Sequence, residues 1–79
     1  MDIIEAAKSQ LKTFFPNDEI EVIDERGDGR HFFIRITSEK FAGISRLERG
    51  RMAHKALDGF IQKGLMHAVR LELKTPNND

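Results

Sequence analysis

Residues 19–37 read Glu-Ile-Glu-Val-Ile-Asp-Glu-Arg-Gly-Asp-Gly-Arg-His-Phe-Phe-Ile-Arg-Ile-Thr, and the fold follows from how this stretch alternates, stops and alternates again. From Glu19 to Glu25 charged residues alternate around the β-branched Ile20 and Val22. From Phe32 to Thr37 the apolar positions Phe32, Ile34 and Ile36 recur every second residue, the period of a strand with one buried face. Between them lies Arg26-Gly27-Asp28-Gly29-Arg30, whose two glycines adopt positive φ at little steric cost. The stretch is read as a β-hairpin turning on those glycines.

Upstream of the hairpin, Ile3, Ile4, Ala7, Leu11, Phe14 and Phe15 recur at helical spacing, and Asp2 with Glu5 has the spacing of a capping box. Pro16-Asn17-Asp18 ends that helix, because proline disfavours helical geometry at the residue before it. Downstream, Ser38 to Gly43 is a turn-prone connection. From Ser45 onward Leu47, Met52, Ala56, Leu57, Phe60 and Ile61 form a second helical stripe that Gly64 terminates. Glycine costs about 1 kcal/mol in a helix interior relative to alanine, so a break is expected near Gly50. From Met66 to Lys74 alternation returns, with His67, Val69, Leu71 and Leu73 on one face. The order α-β-β-α-α-β predicts an α+β domain over residues 1–76, with a disordered tail at 77–79. Its three-stranded mixed sheet is covered by helices on one face, the last strand pairing parallel to the second after a helical crossover.

A chain of 79 residues supports one core and no second domain. Two layers around one core leave little room for a deep, water-excluded cleft, which argues against an enzyme. Thirteen Lys and Arg balance thirteen Asp and Glu, giving a formal net charge of zero and no dominant pull toward nucleic acid or membrane. No apolar run reaches the length of a membrane span, and the acidic amphipathic N-terminus does not resemble an export signal, so the expected compartment is the cytoplasm. Cysteine is absent. Disulfides, Cys-ligated zinc and thiol nucleophiles are thereby excluded for this chain alone, and any soft metal centre must take its thiolates from another molecule.

His31, His54 and His67 are candidates because neutral imidazole is a common metal ligand. They form no HxH, HxxxH or HExxH pattern, and on spacing alone a structural or solvated histidine is the commoner reading for each. Ser9, Ser38 and Ser45 lie in no nucleophile elbow, and Asp24 and Glu25 fall on opposite faces of a strand. The GxG loop joins two strands rather than leading into a helix, which argues against phosphate binding. Arg46, Arg49, Arg51 and Lys55, with Lys40 nearby, concentrate positive charge around the second helical region. That cluster reads either as a phosphate-contacting patch or as a solvated helix face.

Taken in order, Ser38-x-x-Phe41-x-Gly43-x-Ser45, Arg49-x-Arg51, the helix ending in Gly64, and His67-Ala68-Val69 followed by Thr75-Pro76 resemble the BolA family. The resemblance spans residues 2 to 76 in element order, and the Gly27 to Phe32 loop is similar to that of the shorter bacterial members. It implies a fold like class II KH domains and a non-enzymatic adaptor that binds a monothiol glutaredoxin, in iron–sulfur assembly or iron regulation. The partners would share a [2Fe–2S] cluster, with none held by the isolated chain, which is expected to be a monomer. The glutaredoxin and glutathione would supply sulfur ligands. The BolA-like chain would supply the histidine that opens the last strand, here His67, and a ligand from the hairpin loop. His31 is the loop candidate, although the family's ligand lies nearer Asp28, so Asp28, water or no second ligand remain alternatives. Imidazole in place of thiolate at a [2Fe–2S] iron has precedent in Rieske centres. This sequence departs from the family in having Arg49-Gly50-Arg51 where Arg-His-Arg is frequent, and in lacking the C-terminal helix of longer members. The resemblance also implies an alternative role as a DNA-binding regulator using Arg46, Arg49, Arg51 and Lys55. No GxxG clamp lies between the helices, so that role ranks second.

Overall fold

The computed structural model describes residues 3–66 and 68–77. Helix α1 (Ile3–Phe14) is followed by strands β1 (Glu19–Asp24) and β2 (His31–Thr37) and a 3₁₀ turn at Glu39–Phe41. Helices α2 (Arg46–Ala56) and α3 (Asp58–Gln62) lead to strand β3 (Ala68–Lys74). The expected cap residue Asp2, the candidate ligand His67 and tail residues 78 and 79 lie outside the described residues.

The sheet runs β1-β2-β3, with β1 antiparallel and β3 parallel to the central β2. The mixed sheet and the hairpin are those expected from the alternation. Val22 stands opposite Ile34 on one side and Leu71 opposite Ile34 on the other, so the inward rows of all three strands coincide. Phe32, Ile34 and Ile36 are sealed from solvent beneath Ala7, Leu11 and Phe15 from the first helical segment and Ala53, Ala56 and Leu57 from the second. The opposite face is charged. Arg35 pairs with Glu72 on β3 and, at 3.1 Å, with Glu21 on β1. Such exposed pairs contribute roughly 0–1 kcal/mol each.

The connection after β2 is more ordered than a turn-prone sequence implies. Buried Ser38 donates its N–H to the Lys74 carbonyl at 2.8 Å and accepts the Lys40 N–H on Oγ at 3.0 Å. Phe41 is thereby set into the core against Phe15, with ring centroids 5.5 Å apart. Lys40 ties this turn to α1 by donating to the Phe14 carbonyl and lying over the Phe15 ring.

The expected break near Gly50 is not there; α2 runs unbroken through Gly50 and the boundary with α3 falls at Leu57 (φ −99°, ψ 4°). Two anchors flank the glycine. Ser45 caps the helix by accepting the Glu48 N–H at 3.2 Å. Arg49, only 8% exposed, donates to the carbonyls of Ile44 (2.8 Å) and Leu73 (3.1 Å), with its guanidinium 5.8 Å from the Phe41 ring. Together a cap of about 1 kcal/mol and charged hydrogen bonds of about 1.5–3 kcal/mol outweigh the cost of one glycine. The helix instead yields at fully buried Leu57, whose N–H is shared between the carbonyls of Ala53 and His54. Leu47 also departs from the expected stripe: it is 66% exposed, and Arg49, Ala53 and Ala56 form the buried face. At the far end Gly64 takes φ 72° and ends α3 as expected, with Leu65 N–H returning to the Phe60 carbonyl at 2.9 Å.

Replacing Arg49 with alanine should lower the unfolding free energy by about 2–3 kcal/mol, because two half-buried carbonyls lose their charged donor and the nearly buried side chain leaves a gap. Leu47→Ala should change it by less than about 0.5 kcal/mol. Urea denaturation followed by circular dichroism measures both, and equal effects would refute the anchoring role of Arg49.

Candidate functional site

One end of the sheet, where the hairpin loop enters β2 and β3 begins, gathers the candidate chemistry. The loop closes with the Glu25 N–H donating to the His31 carbonyl at 2.9 Å. Gly27 and Gly29 both sit at φ 69°, as the hairpin reading required. Aspartates then satisfy the loop's amides. Asp24 Oδ2 accepts the Gly29 N–H at 2.8 Å, and Asp28 Oδ1 accepts those of Arg30 (2.9 Å) and His31 (3.2 Å). The other Asp28 oxygen, Oδ2, lies 3.0 Å from His31 Nδ1. The Arg30 N–H foremost, and the His31 ring and N–H, hold the Asp28 carboxyl down at about 2 against an opposing desolvation.

Both Asp28 oxygens are thus engaged within the loop, and His31 is the side chain that the loop presents. Its ring is about one-third exposed. The loop is also fastened across the sheet: Arg70 on β3 donates through Nε and Nη2 to the two Glu25 oxygens at 3.0 and 2.9 Å. The same guanidinium lies 5.0 Å from the Phe33 ring. His31 stands opposite Ala68 in the parallel register, and the Ala68 N–H donates to the Arg30 carbonyl at 3.1 Å. His67, which precedes Ala68 in the sequence, lies outside the described residues. His54 is exposed in the last turn of α2. Among the described residues no three His, Asp or Glu side chains converge as a metal cage.

The four basic candidates do not form one surface. Arg49 is withdrawn into the fold, and Arg51 donates to Glu48 at 2.6 Å, while Arg46 and Lys55 are exposed about half a turn apart around α2. A sequence pattern of charges gave no sign that Arg49 serves two carbonyls. The role of Asp28 as the partner of His31 was also missed. Its signal is an Asp three residues before a His, with glycines on both sides freeing the backbone to fold the carboxylate over the following amides. Among the described residues, no helix is long and apolar enough to cross a membrane.

A family model described as BolA-like protein matches residues 10–78. A BolA-like protein of Dictyostelium discoideum is 34% identical over 64 residues, covering 72% of this chain and 56% of that protein. BolA-like protein 1 of Mus musculus is 38% identical over 50 residues, covering 63% of this chain and 36% of the mouse protein. The chain thus spans little more than half, or less, of the length of these relatives. Among solved structures, BolA1 from Arabidopsis thaliana superposes with a TM-score of 0.88 at 23% identity, covering 100% of this chain and 98% of that one, which shows the shared fold. The BolA domain of SufE1 from Arabidopsis thaliana gives 0.82 at 30% identity, covering 95% and 93%. A bolA protein homologue from Coxiella burnetii gives 0.71 at 31% identity, covering 98% and 95%. A family match across nearly the whole chain, joined to the same element order and sheet in these structures, means that this protein belongs to the BolA-like family.

Proposed function

We propose that this chain is an adaptor that binds a monothiol glutaredoxin and shares with it a [2Fe–2S] cluster, in iron–sulfur assembly or iron regulation. The observation that carries this reading is the Asp28–His31 pair at the loop end of β2. An ionised carboxylate only accepts hydrogen bonds, so Nδ1 of the neutral ring holds the proton and the lone pair sits on Nε2. A histidine oriented by a carboxylate in this way is the usual form of an imidazole metal ligand. The donor set therefore fits a metal centre whose sulfurs come from elsewhere, as the absence of cysteine requires.

His31 and His67 would be this chain's ligands, with Asp28 positioning His31 rather than binding metal itself. When bound, the cluster would be iron cargo completed by the glutaredoxin and glutathione thiolates. That a BolA domain also occurs as part of SufE1 in Arabidopsis supports a binding module rather than a self-contained enzyme. The DNA-binding alternative has weaker support, since Arg49 is committed to carbonyls of its own chain.

Adding the protein to cluster-loaded monothiol glutaredoxin should change the visible absorption and circular dichroism of the cluster, with His67→Ala abolishing the change and His31→Ala weakening it. An unaltered spectrum, or one altered equally by both variants and the unsubstituted protein, defeats the ligand assignment.

The positioning role of Asp28 has its own readout. Long-range proton–nitrogen spectra should show His31 protonated on Nδ1 when neutral, and Asp28→Ala should shift the ring toward Nε2 protonation. The carboxylate's bonds to the loop are present above an ordinary aspartate pKa of 3.8 and are lost as pH falls through about 2. The Arg30 and His31 amide resonances should therefore move with a midpoint near that lower value. A midpoint at the ordinary value would remove the restraint.

A further inference from the structure

The exposed edge of β3 is a feature that the cluster-binding reading does not use. Parallel pairing is continuous from Ala68 to Lys74, with no bulge and no proline. The bonds from Ala68 N–H to Arg30 and from Ser38 N–H to the Lys74 carbonyl fix which residues face β2. Ala68, Arg70, Glu72 and Lys74 therefore turn their backbone groups toward β2, and Val69, Leu71 and Leu73 turn theirs outward. Arg49 takes the Leu73 carbonyl. Among the described residues, the N–H groups of Val69, Leu71 and Leu73 and the carbonyls of Val69 and Leu71 are left facing the edge without a backbone partner, a ready template for another strand.

The side chains beside this edge are incompletely covered. On β2 the inward residues Phe32, Ile34 and Ile36 are 1%, 0% and 0% exposed, whereas their β3 counterparts Val69, Leu71 and Leu73 remain only partly buried. A groove of about 420 Å³ runs between β3 and the start of α2, with Arg46 and Gly50 on one wall and Leu71 and Leu73 on the other. A Cβ added at Gly50 would meet nothing within 4 Å, so the helix wall is open at that point.

The charge in the groove selects the occupant. Among the described residues, Arg46, Arg49 and Lys74 line it against one carboxylate, Glu72, which already serves Arg35 and Lys74. Exposed Arg46 has no ion pair among the described residues. Among the described residues the groove also has no aromatic wall on which nucleotide bases would stack. An unpaired strand edge, half-covered aliphatic side chains and a free cation together match an extended peptide bearing carboxylates.

We propose that the groove between β3 and the start of α2 docks an extended acidic segment of a partner protein, which adds to the sheet as a fourth strand beside β3. The segment's backbone pairs with Val69, Leu71 and Leu73, its alternate side chains cover the exposed flanks of Leu71 and Leu73, and a carboxylate meets Arg46. Neither His31 nor His67 takes part, so this proposal and the cluster-sharing one stand or fall separately.

The test uses the full chain, labelled with ¹⁵N, and an end-blocked nonapeptide that alternates valine and threonine with glutamate, alongside its lysine counterpart. The glutamate peptide should slow amide exchange at Val69, Leu71 and Leu73 and leave Arg70 and Glu72, already bonded to β2, unchanged. The lysine peptide should bind more weakly. Arg46→Glu should weaken binding of the glutamate peptide about tenfold while leaving the fold intact. Leu71→Pro removes an outward donor without touching the ladder to β2 and should abolish binding. If millimolar glutamate peptide leaves those amides unprotected, or Arg46→Glu has no effect, the proposal is overturned. It is equally overturned if a single-stranded oligonucleotide, and not the peptide, perturbs the groove.

Discussion

The burial of alternate β2 residues is the constraint on which the rest of this structure depends. β2 has a neighbour on each side, and Phe32, Ile34 and Ile36 carry the inward row to which β1 and β3 must both conform. A slip of one residue would send that row into solvent and bring Phe33 and Arg35 inward, so the register is sharply specified. Fixing it also fixes His31 as the first residue of the strand, opposite Ala68. The candidate ligand end of the sheet and the outward edge of β3 are consequences of the same pairing.

Arg49 performs a second organising task at little cost in helix propensity. A small domain buries few charges, and one that does must satisfy them. Here the guanidinium bridges the loop before α2 and the end of β3, drawing the helix start toward the edge strand. The bridge closes the core without an apolar side chain at that place, and the groove beside β3 stays open as a result. Filling the position with a large aliphatic residue would bury the flank of Leu73 but leave the Ile44 and Leu73 carbonyls without their donor.

The hairpin, the first helix and the third strand were legible because each has an apolar period that only one secondary structure satisfies, and the parallel pairing of the third strand followed from the helical crossover before it. The helical break was misread at Gly50 because propensity is local, whereas the anchors that hold α2 together reach residues on both sides, including Leu73 in the last strand. The same limit governed the basic cluster. Charges at neighbouring positions look equivalent in sequence, yet tertiary packing takes Arg49 inward and leaves Arg46 out. At the site, the positive φ of Gly27 and Gly29 was foreseeable from residue type alone. The pairing of Asp28 with His31 was not, because it depends on how the glycines bend the loop back on its own amides.

The candidate chemistry of this domain sits at the surface, so its precision has to be built there. The hairpin end shows how. Asp24 and Asp28 satisfy loop amides, and Glu25 is clamped by Arg70, a residue 45 positions away that also covers Phe33. Each exposed interaction is individually weak, but together they restrict a loop whose glycines would otherwise leave it free. A ligand presented from such a loop loses less conformational entropy on binding than one on an unrestrained tip. Partial exposure of His31 is therefore compatible with specificity in the proposed centre: its orientation comes from Asp28, and the remaining walls would be those of the proposed partner.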